Sequence, residues 1–471
     1  MRTALACAAA LLAGVGSQDA TESFDRDPGW DGHQNRAATP DPRTIRQDFG
    51  FSPDTRHAGG DAGEIGGLVT PAAEPAFYAK AIPERSLETP VSASGRLLYE
   101  KGAGNLLLGF FNAETINEWR TPNTLVARLN GRGDTFHAHV EYATRRWRAG
   151  AHVIGEYDRV KDRLHPVELP CGVPVDWSLA YDPAGEGGRG TLTLTLGGHR
   201  TVCALEPGHK ADGATFNRFG ILPVLKSADG PGRIWIDDLT IDGAREAFSR
   251  DPGWEGRDNR RTYVTSNVRP RFDFGYSPTR HAGGQKPGEI GGRIFRGDGR
   301  YPDRMAYYGA RLAELTLTAP LRASGRLALR RGVSDSDTLI GFFHSAHSLQ
   351  SGGTDAIGTP PDFLGLAIGG PSREGFFVVP SYRTHGTSRR IADRGPLILP
   401  DGASHAWSLD YDPAGGGTIT LRVGAETVRL ELEKGSAAEG AHFDRFGIIT
   451  THVDGNTQEV YLDDLTYTSK P

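Results

Sequence analysis

The residues best suited to act on a polar ligand fall in two stretches. In the first, a glycine-rich loop carries Arg56, His57 and Glu64. The same set returns as Arg280, His281 and Glu289, and a tyrosine follows each, Tyr78 and Tyr308. Glycine allows close approach of backbone to a ligand or to another strand. A cation, an imidazole and a carboxylate in one loop suit the binding of an acidic sugar. They also suit proton abstraction beside a uronate carboxylate, with Arg neutralising that carboxylate and His or Tyr exchanging protons. The alternative is a structural loop in which Arg pairs with Glu and His bonds to backbone.

The second stretch occurs once. After a GFF triplet come Asn112, Glu118, Trp119, Arg120, Asn123 and Arg128, then His137, His139 and Glu141. The last three alternate along an expected strand, so they share one face. Two imidazoles and a carboxylate on a sheet face near a Trp suit a sugar groove, or a metal site. The corresponding positions later in the chain are Phe377, Val379 and Ser381, where the same face has turned apolar. A solvated outer face that tolerates any side chain is the alternative.

These stretches sit in an internal repeat. FDRDPGWDGHQNR at residues 24–36 matches FSRDPGWEGRDNR at residues 248–260. DFGFSPDTRHAGG, GEIGG, ASGRL, GFF, WSLAYDPAG, FNRFGI and IDDLT each recur once, in the same order. This organisation predicts an export segment at residues 1–20 and two domains, 21–243 and 244–471, joined near Gly243. Each copy reads as all-β. Thr191–Leu196 (TLTLTL) and Thr418–Val423 (TITLRV) alternate with period two after a YDPAG turn. Among 471 residues there are 63 Gly and 30 Pro, scattered as turn punctuation. The expected fold is therefore two tandem antiparallel β-sandwiches. In DPGW, Pro-Gly makes a turn and Trp30 or Trp254 plugs a sandwich edge.

The order of a GFF strand, a W-S-L-x-Y-D-P strand and turn, and a closing I/L-D-D-L-T strand resembles the concanavalin A-like lectin/glucanase jelly roll. The resemblance covers each copy almost whole. It implies the fold and a carbohydrate-related role. The E-x-D-x-E strand of the glucanases is absent, as are the R-x-E-L and Q-I-H strands of alginate-lyase-like jelly rolls, so no catalytic residue is carried over. The acidic pairs Asp237–Asp238 and Asp463–Asp464 should each turn one carboxylate inward, where it needs a partner. Resemblance to carbohydrate-binding jelly rolls implies a structural calcium there, drawing on Asp27, Asp238, Asp251 and Asp464. A salt bridge to Arg36 or Arg260 is the alternative.

Composition bounds the rest. Hydrophobic residues make up 37% and charged residues 24%, enough apolar material for cores. A net charge of -5 without a basic block excludes a general grip on nucleic acid. Arg2, the apolar run at residues 4–15 and the small residues Gly16, Ser17 and Ala20 read as an export signal, implying a secreted or cell-envelope protein. No apolar stretch is long enough for a membrane span. Cys171 and Cys203 permit one disulfide, which the second copy lacks. No nucleophile elbow, P-loop, dinucleotide fingerprint or zinc-finger spacing is present. Three roles remain: polysaccharide binding, a polysaccharide lyase or glycoside hydrolase using the Arg/His/Glu/Tyr set, and a non-catalytic envelope or matrix protein.

Overall fold

The alternation in the sequence becomes alternation in space. In a computed structural model, Thr191–Leu196 buries each leucine and turns each threonine outward, as a half-buried strand must. The structure describes residues 18–37, 42–158, 163–350, 358–370, 374–390 and 395–471. They build four large antiparallel sheets that pack in pairs, giving the two expected β-sandwiches.

In the first sandwich, one sheet runs from Ala149–Val153 through Thr135–Ala143, Thr124–Gly131, Asn105–Phe111, Thr215–Pro223 and Phe77–Ser86 to Glu255–Arg257. Its partner runs from His199–Ala204 to Arg260–Thr265. Leu108, Phe110, Leu179, Leu194 and Phe219 meet in the shared core. The second sandwich repeats this plan, with Phe342, Leu366, Leu409, Phe446 and Leu462 in its core.

The expected division at Gly243 is not where the packing divides. Ala244–Arg245, Glu255–Arg257 and Arg260–Thr265 all pair with strands of the first sandwich. Gln18–Glu22 and Asp31–His33 pair with the second, on Thr457–Lys470 and Tyr307–Thr316. Each FxRDPGW strap thus completes the sandwich built mainly by the other repeat. Phe248 enters the first core and Trp254 stacks on Tyr78 at 5.7 Å. Phe24 enters the second core, where Trp30 lies 5.8 Å from Tyr308. The Trp does plug a sandwich edge, but across the repeat boundary.

The GEIGG motif is the receiving surface. Gly63 has φ +105, and a Cβ there would lie 1.8 Å from the Phe248 carbonyl oxygen. Gly288, with φ +129, meets the Phe24 carbonyl at the same 1.8 Å. Only glycine permits such contact. Asn35 donates to the Phe274 carbonyl at 2.6 Å and Arg36 to that of Tyr276. Asn259 and Arg260 do the same to Phe49 and Phe51. The alternative salt bridge of Arg36 or Arg260 to an acidic pair is therefore replaced by backbone capture.

Residues 1–17 of the expected export segment lie outside the described residues. Gln18–Glu22 is already strand, so a segment ending at Ala20 would take part of it away. The permitted disulfide does not form. Cys203 points into the core from His199–Ala204, whereas Cys171 follows the short strand Leu169–Pro170 of the opposite sheet, its Sγ 3.6 Å from the Gly133 carbonyl. Among the described residues no helix is long and apolar enough to cross a membrane.

Candidate functional site

The strand Thr135–Ala143 sends Phe136, Ala138, Val140 and Tyr142 into the first core. His137, His139 and Glu141 therefore share the opposite face, as the alternation requires. On the adjacent strand Thr124–Gly131, Arg128 lies across from His139 and Asn130 across from His137. Arg128 Nη1 reaches Glu141 Oε2 at 3.6 Å, and Asn130 Nδ2 donates to His139 Nδ1 at 3.1 Å. Burial, then the Arg128 charge, pushes the His139 imidazole down to about 4. Burial and Arg132 lower that of His137 in the same way. In both, burial favours the neutral, uncharged ring. His137 Nδ1 is buried without a partner.

Two tryptophans stand at the end of this face nearer the second sandwich. Trp119, at φ 70, is buried against Phe295 of that sandwich at 6.0 Å between ring centroids. Trp147, at φ 72, is half-buried with the Arg120 guanidinium 5.3 Å from its ring centroid. Arg120 also donates to the Pro400 carbonyl at 3.0 Å. Leu107, Val126, Arg128 and Glu141 floor the groove, and Val333 and Ser334 of the second sandwich close one end. The enclosed part measures about 100 Å³, below the roughly 300–1,000 Å³ of small-molecule pockets. The same face runs on past Glu141 and His139, both part-exposed, to His137, which is buried.

Of the residues expected here, Trp119, Arg120, Arg128, His137, His139 and Glu141 do share this face and its rim. Asn112 does not: its Nδ2 donates to Thr215 Oγ1 at 2.8 Å and its Oδ1 accepts from Glu114 N at 2.9 Å, which shapes a turn. Trp147 lines the groove and Asn130 stands beside His137 and His139 on the face beyond it, and neither is among the residues the sequence singles out. The run RRWR at residues 145–148, an aromatic among cations, was the available signal.

The Arg/His/Glu/Tyr set does not assemble as a site. Glu64 is fully buried and accepts backbone N–H from His57 and Ala58, both at 2.9 Å, and His57 Nδ1 at 2.6 Å. The His57 ring lies flat on Trp235 at 4.4 Å on the outer face of the other sheet. Glu289 holds His281 N at 2.8 Å and Ala282 N at 2.7 Å, and Thr279 Oγ1 at 2.5 Å. These carboxylates are loop anchors, as the structural alternative held. Arg56 is exposed, and Arg280 bonds back to the Gly284 carbonyl of its own loop. Tyr78 and Tyr308 face the cores beneath Trp254 and Trp30, where burial and then Asp251 or Asp27 push each phenol up to about 12. Neither hydroxyl lies with the imidazole it was expected to serve.

Neither acidic pair turns a carboxylate into the core: Asp463, fully buried, and Asp237, part-exposed, lie with Tyr461 and Trp235 on the outer face, covered by the glycine-rich loops at Gly284 and Gly59. Asp238 pairs with Arg245 at 3.3 Å, and Asp464 is exposed. Asp27 and Asp251 each cap a turn, accepting from Gly29 N and Gly253 N at 2.9 Å. The four expected calcium ligands are thus engaged separately. Among the described residues, no three His, Cys, Asp or Glu side chains already stand as a metal-ligand group.

No family model matches the chain, and no curated protein does. Solved structures similar to it include domains LG4-5 of the mouse laminin alpha1 chain, at 13% identity and TM-score 0.25, covering 89% of this chain and 98% of that one. An alginate lyase from Pseudomonas aeruginosa is similar at 12% identity and TM-score 0.23, over 33% of this chain and 65% of that one. The endo-beta-1,4-glucuronan lyase from the fungus Trichoderma reesei is similar at 8% identity and TM-score 0.27, over 47% of this chain and 96% of that one.

Proposed function

We propose that the first sandwich binds a polysaccharide along the face of Thr124–Gly131 and Thr135–Ala143. The observation that carries this reading is the contrast between equivalent faces. In the first sandwich the face presents Arg128, Asn130, His137, His139 and Glu141 beside Trp147. In the second, the matching positions are Ala367, Gly369, Phe377, Val379 and Ser381, of which Ala367, Phe377 and Val379 pack with Leu349; the inner strands of the face are apolar in both sandwiches, with Phe77, Leu107 and Phe111 in the first and Tyr307, Leu339 and Phe343 in the second. Sugars offer hydroxyls to polar side chains and C–H faces to aromatic rings, and the first face supplies both.

Retention of the full chain on immobilised polysaccharides, compared with Trp147→Ala, tests this. Binding is expected for the unaltered chain, with a loss of about tenfold or more in the variant, as for aromatic contacts at binding hot spots. Unchanged retention in Trp147→Ala would sink the reading. Products are measured in the same assay. A binder leaves chain length intact, whereas new ultraviolet-absorbing unsaturated ends would identify a lyase with neutral His139 beside Arg128 as its base and carboxylate-neutralising pair.

A further inference from the structure

The turn at residues 117–120 of the first sandwich also meets the end of the strand Leu321–Gly332 of the second. Glu118, Trp119, Arg120, Arg330 and Arg331 line one cavity there, of about 240 Å³. That volume is below the roughly 300–1,000 Å³ of a small-molecule pocket and suits one group of a larger ligand. Trp119 lines the groove beside the polar face as well, and the Arg120 guanidinium lies over Trp147 of that groove. The cleft and the groove therefore adjoin.

The charges in the cleft do not balance. Arg331 Nη1 donates to Glu118 Oε2 at 3.3 Å and Arg330 Nη1 to Glu459 Oε1 at 3.1 Å, with Arg331 Nε 3.5 Å from Glu459 Oε2. Two carboxylates thus serve two guanidinium groups. The third, Arg120, gives Nη2 to the Pro400 carbonyl, and its Nε is buried without a partner. Trp119, 2% exposed, likewise has Nε1 without a partner. Burial pushes the Arg120 guanidinium down, Asp401 acts against that, and the like charge of Arg331 adds to it. Holding cations together in a part-buried cleft is a cost that a bound anion would relieve.

The first sandwich shows that these cations are not needed to fold the strand. Gly325 and Gly95 hold the same place in the ASGRL repeat, so Arg330 and Arg331 correspond to Glu100 and Lys101. Glu100 accepts from Trp235 Nε1 at 3.1 Å. One strand end is neutral and the other carries two positive charges, and the latter is the one that meets Arg120.

We infer that this cleft binds an anionic group of the ligand, a carboxylate or sulfate carried by an acidic polysaccharide, among Arg120, Arg330 and Arg331. The planar guanidinium fork matches such oxyanions through paired N–H donors. This assignment rests on glycan binding at the adjoining face and narrows the ligand to acidic chains. It also gives the pairing of the two sandwiches a use, because neither alone holds all three arginines.

The test is retention of the full chain on polygalacturonate, on dextran sulfate and on neutral dextran at about 0.15 M salt, where attraction between distant exposed charges is screened. Retention is expected on one or both acidic matrices, and the matrix that retains names the group. There Arg331→Gln should lower affinity by about tenfold or more, as for a lost hydrogen bond to a charged partner, and Arg331→Lys should recover part of it. Arg330→Gln should give a similar loss, and it decides the matter where loss of the Glu118 pair lowers the melting temperature of Arg331→Gln. Arg200→Gln removes the same charge from the exposed part of His199–Ala204 and should change nothing. Absence of acidic retention, equal retention on neutral dextran, unchanged affinity in both cleft variants, or an equal loss in Arg200→Gln overturns the site. Loss in Trp147→Ala without loss in the cleft variants would sink this assignment alone, whereas no loss in Trp147→Ala would sink the reading of the face.

Discussion

The two sandwiches share a skeleton and differ in what they do with the same sheet face. In the first, the outward positions of Thr135–Ala143 are His137, His139 and Glu141, of which His139 and Glu141 are part-exposed and His137 is buried. In the second, the outward positions of Phe376–Arg383 include Phe377, Val379 and Ser381, and the face is covered by its own loops. The cores tolerate this because the alternate residues, Tyr142 and Tyr382 among them, keep the inward side apolar in both. Period two lets one strand hold a fixed core and a free outer face. Polar chemistry also moves between equivalent places: the side chains that accept loop N–H groups are Asn112, Asn123 and Asn217 in the first sandwich and His344, Asp362 and Asp444 in the second.

The comparison assumes two separable bodies, and the straps offer the strongest way to break that assumption. Phe24 belongs by sequence to the first repeat and by packing to the second core, and Phe248 the reverse. Phe24→Ala should cost about 3–5 kcal/mol, as for a fully buried aromatic. The loss should appear in the second sandwich. Hydrogen exchange should speed up in Glu289–Phe295 and Thr457–Lys470, with Glu64–Val69 protected as before. Phe248→Ala should give the converse pattern. Exchange that rises in each strap's own repeat would return the boundary to Gly243.

That crossing marks where sequence reading stops. The strands, the turns after YDPAG and the shared face of His137, His139 and Glu141 were legible because period two acts over a few residues. The destination of the strap was not legible, since nearly identical straps and receivers occur in both repeats and spacing does not say which pair meets. The Arg/His/Glu/Tyr set misled for a related reason. Arg56, His57 and Glu64 are neighbours in sequence, but Glu64 is spent on two backbone N–H groups and Tyr78 faces the core. Retention in both repeats reflected a folding need that both sandwiches share.

The next largest effect tests that reading of the loop anchors. Glu64→Ala leaves the His57 and Ala58 N–H groups without their acceptor, at a cost of about 2–4 kcal/mol. Glu289→Ala should cost a similar amount, because Glu289 holds the equivalent pair. Neither should alter glycan retention at temperatures where the variant is folded. Lost retention at an unchanged melting temperature would reinstate the loop as a ligand site.

A smaller effect separates the two acids covered by the glycine-rich loops. Burial, and after it the charges of Asp464 and Glu289, raise the Asp463 carboxyl to about 6 from its ordinary 3.8, against the Asp464 and Gly284 backbone bonds. An acid whose folded pKa lies above its unfolded value binds more protons folded. Its contribution therefore weakens the fold as pH rises from about 4 to about 6 and stays unfavourable above. At about 1.4 kcal/mol per unit, Asp463→Asn should raise stability by about 1–3 kcal/mol at pH 7 and leave it nearly unchanged near pH 4. Asp237 is raised by burial too, but sits partly exposed, so Asp237→Asn should give a smaller gain with the same sign. Equal gains would mean that the two sites are equally desolvated.

The smallest stability effect belongs to the polar face of the first sandwich and carries the most functional information. Arg128 and Glu141 are 27% and 30% exposed and 3.6 Å apart, a geometry worth no more than about 1 kcal/mol. Arg128→Gln should therefore melt within a few degrees of the parent, and the loss of a cation beside His139 should let that imidazole titrate higher. If the face binds a polysaccharide, the same substitution should lower retention by about tenfold, equivalent to about 1.4 kcal/mol. At the equivalent face of the second sandwich, Val379→Ala should leave retention unchanged, although it removes buried volume. A retention loss shared by both substitutions would mean that ligand spans the two sandwiches. A loss in neither would leave the polar face of the first sandwich as solvated surface.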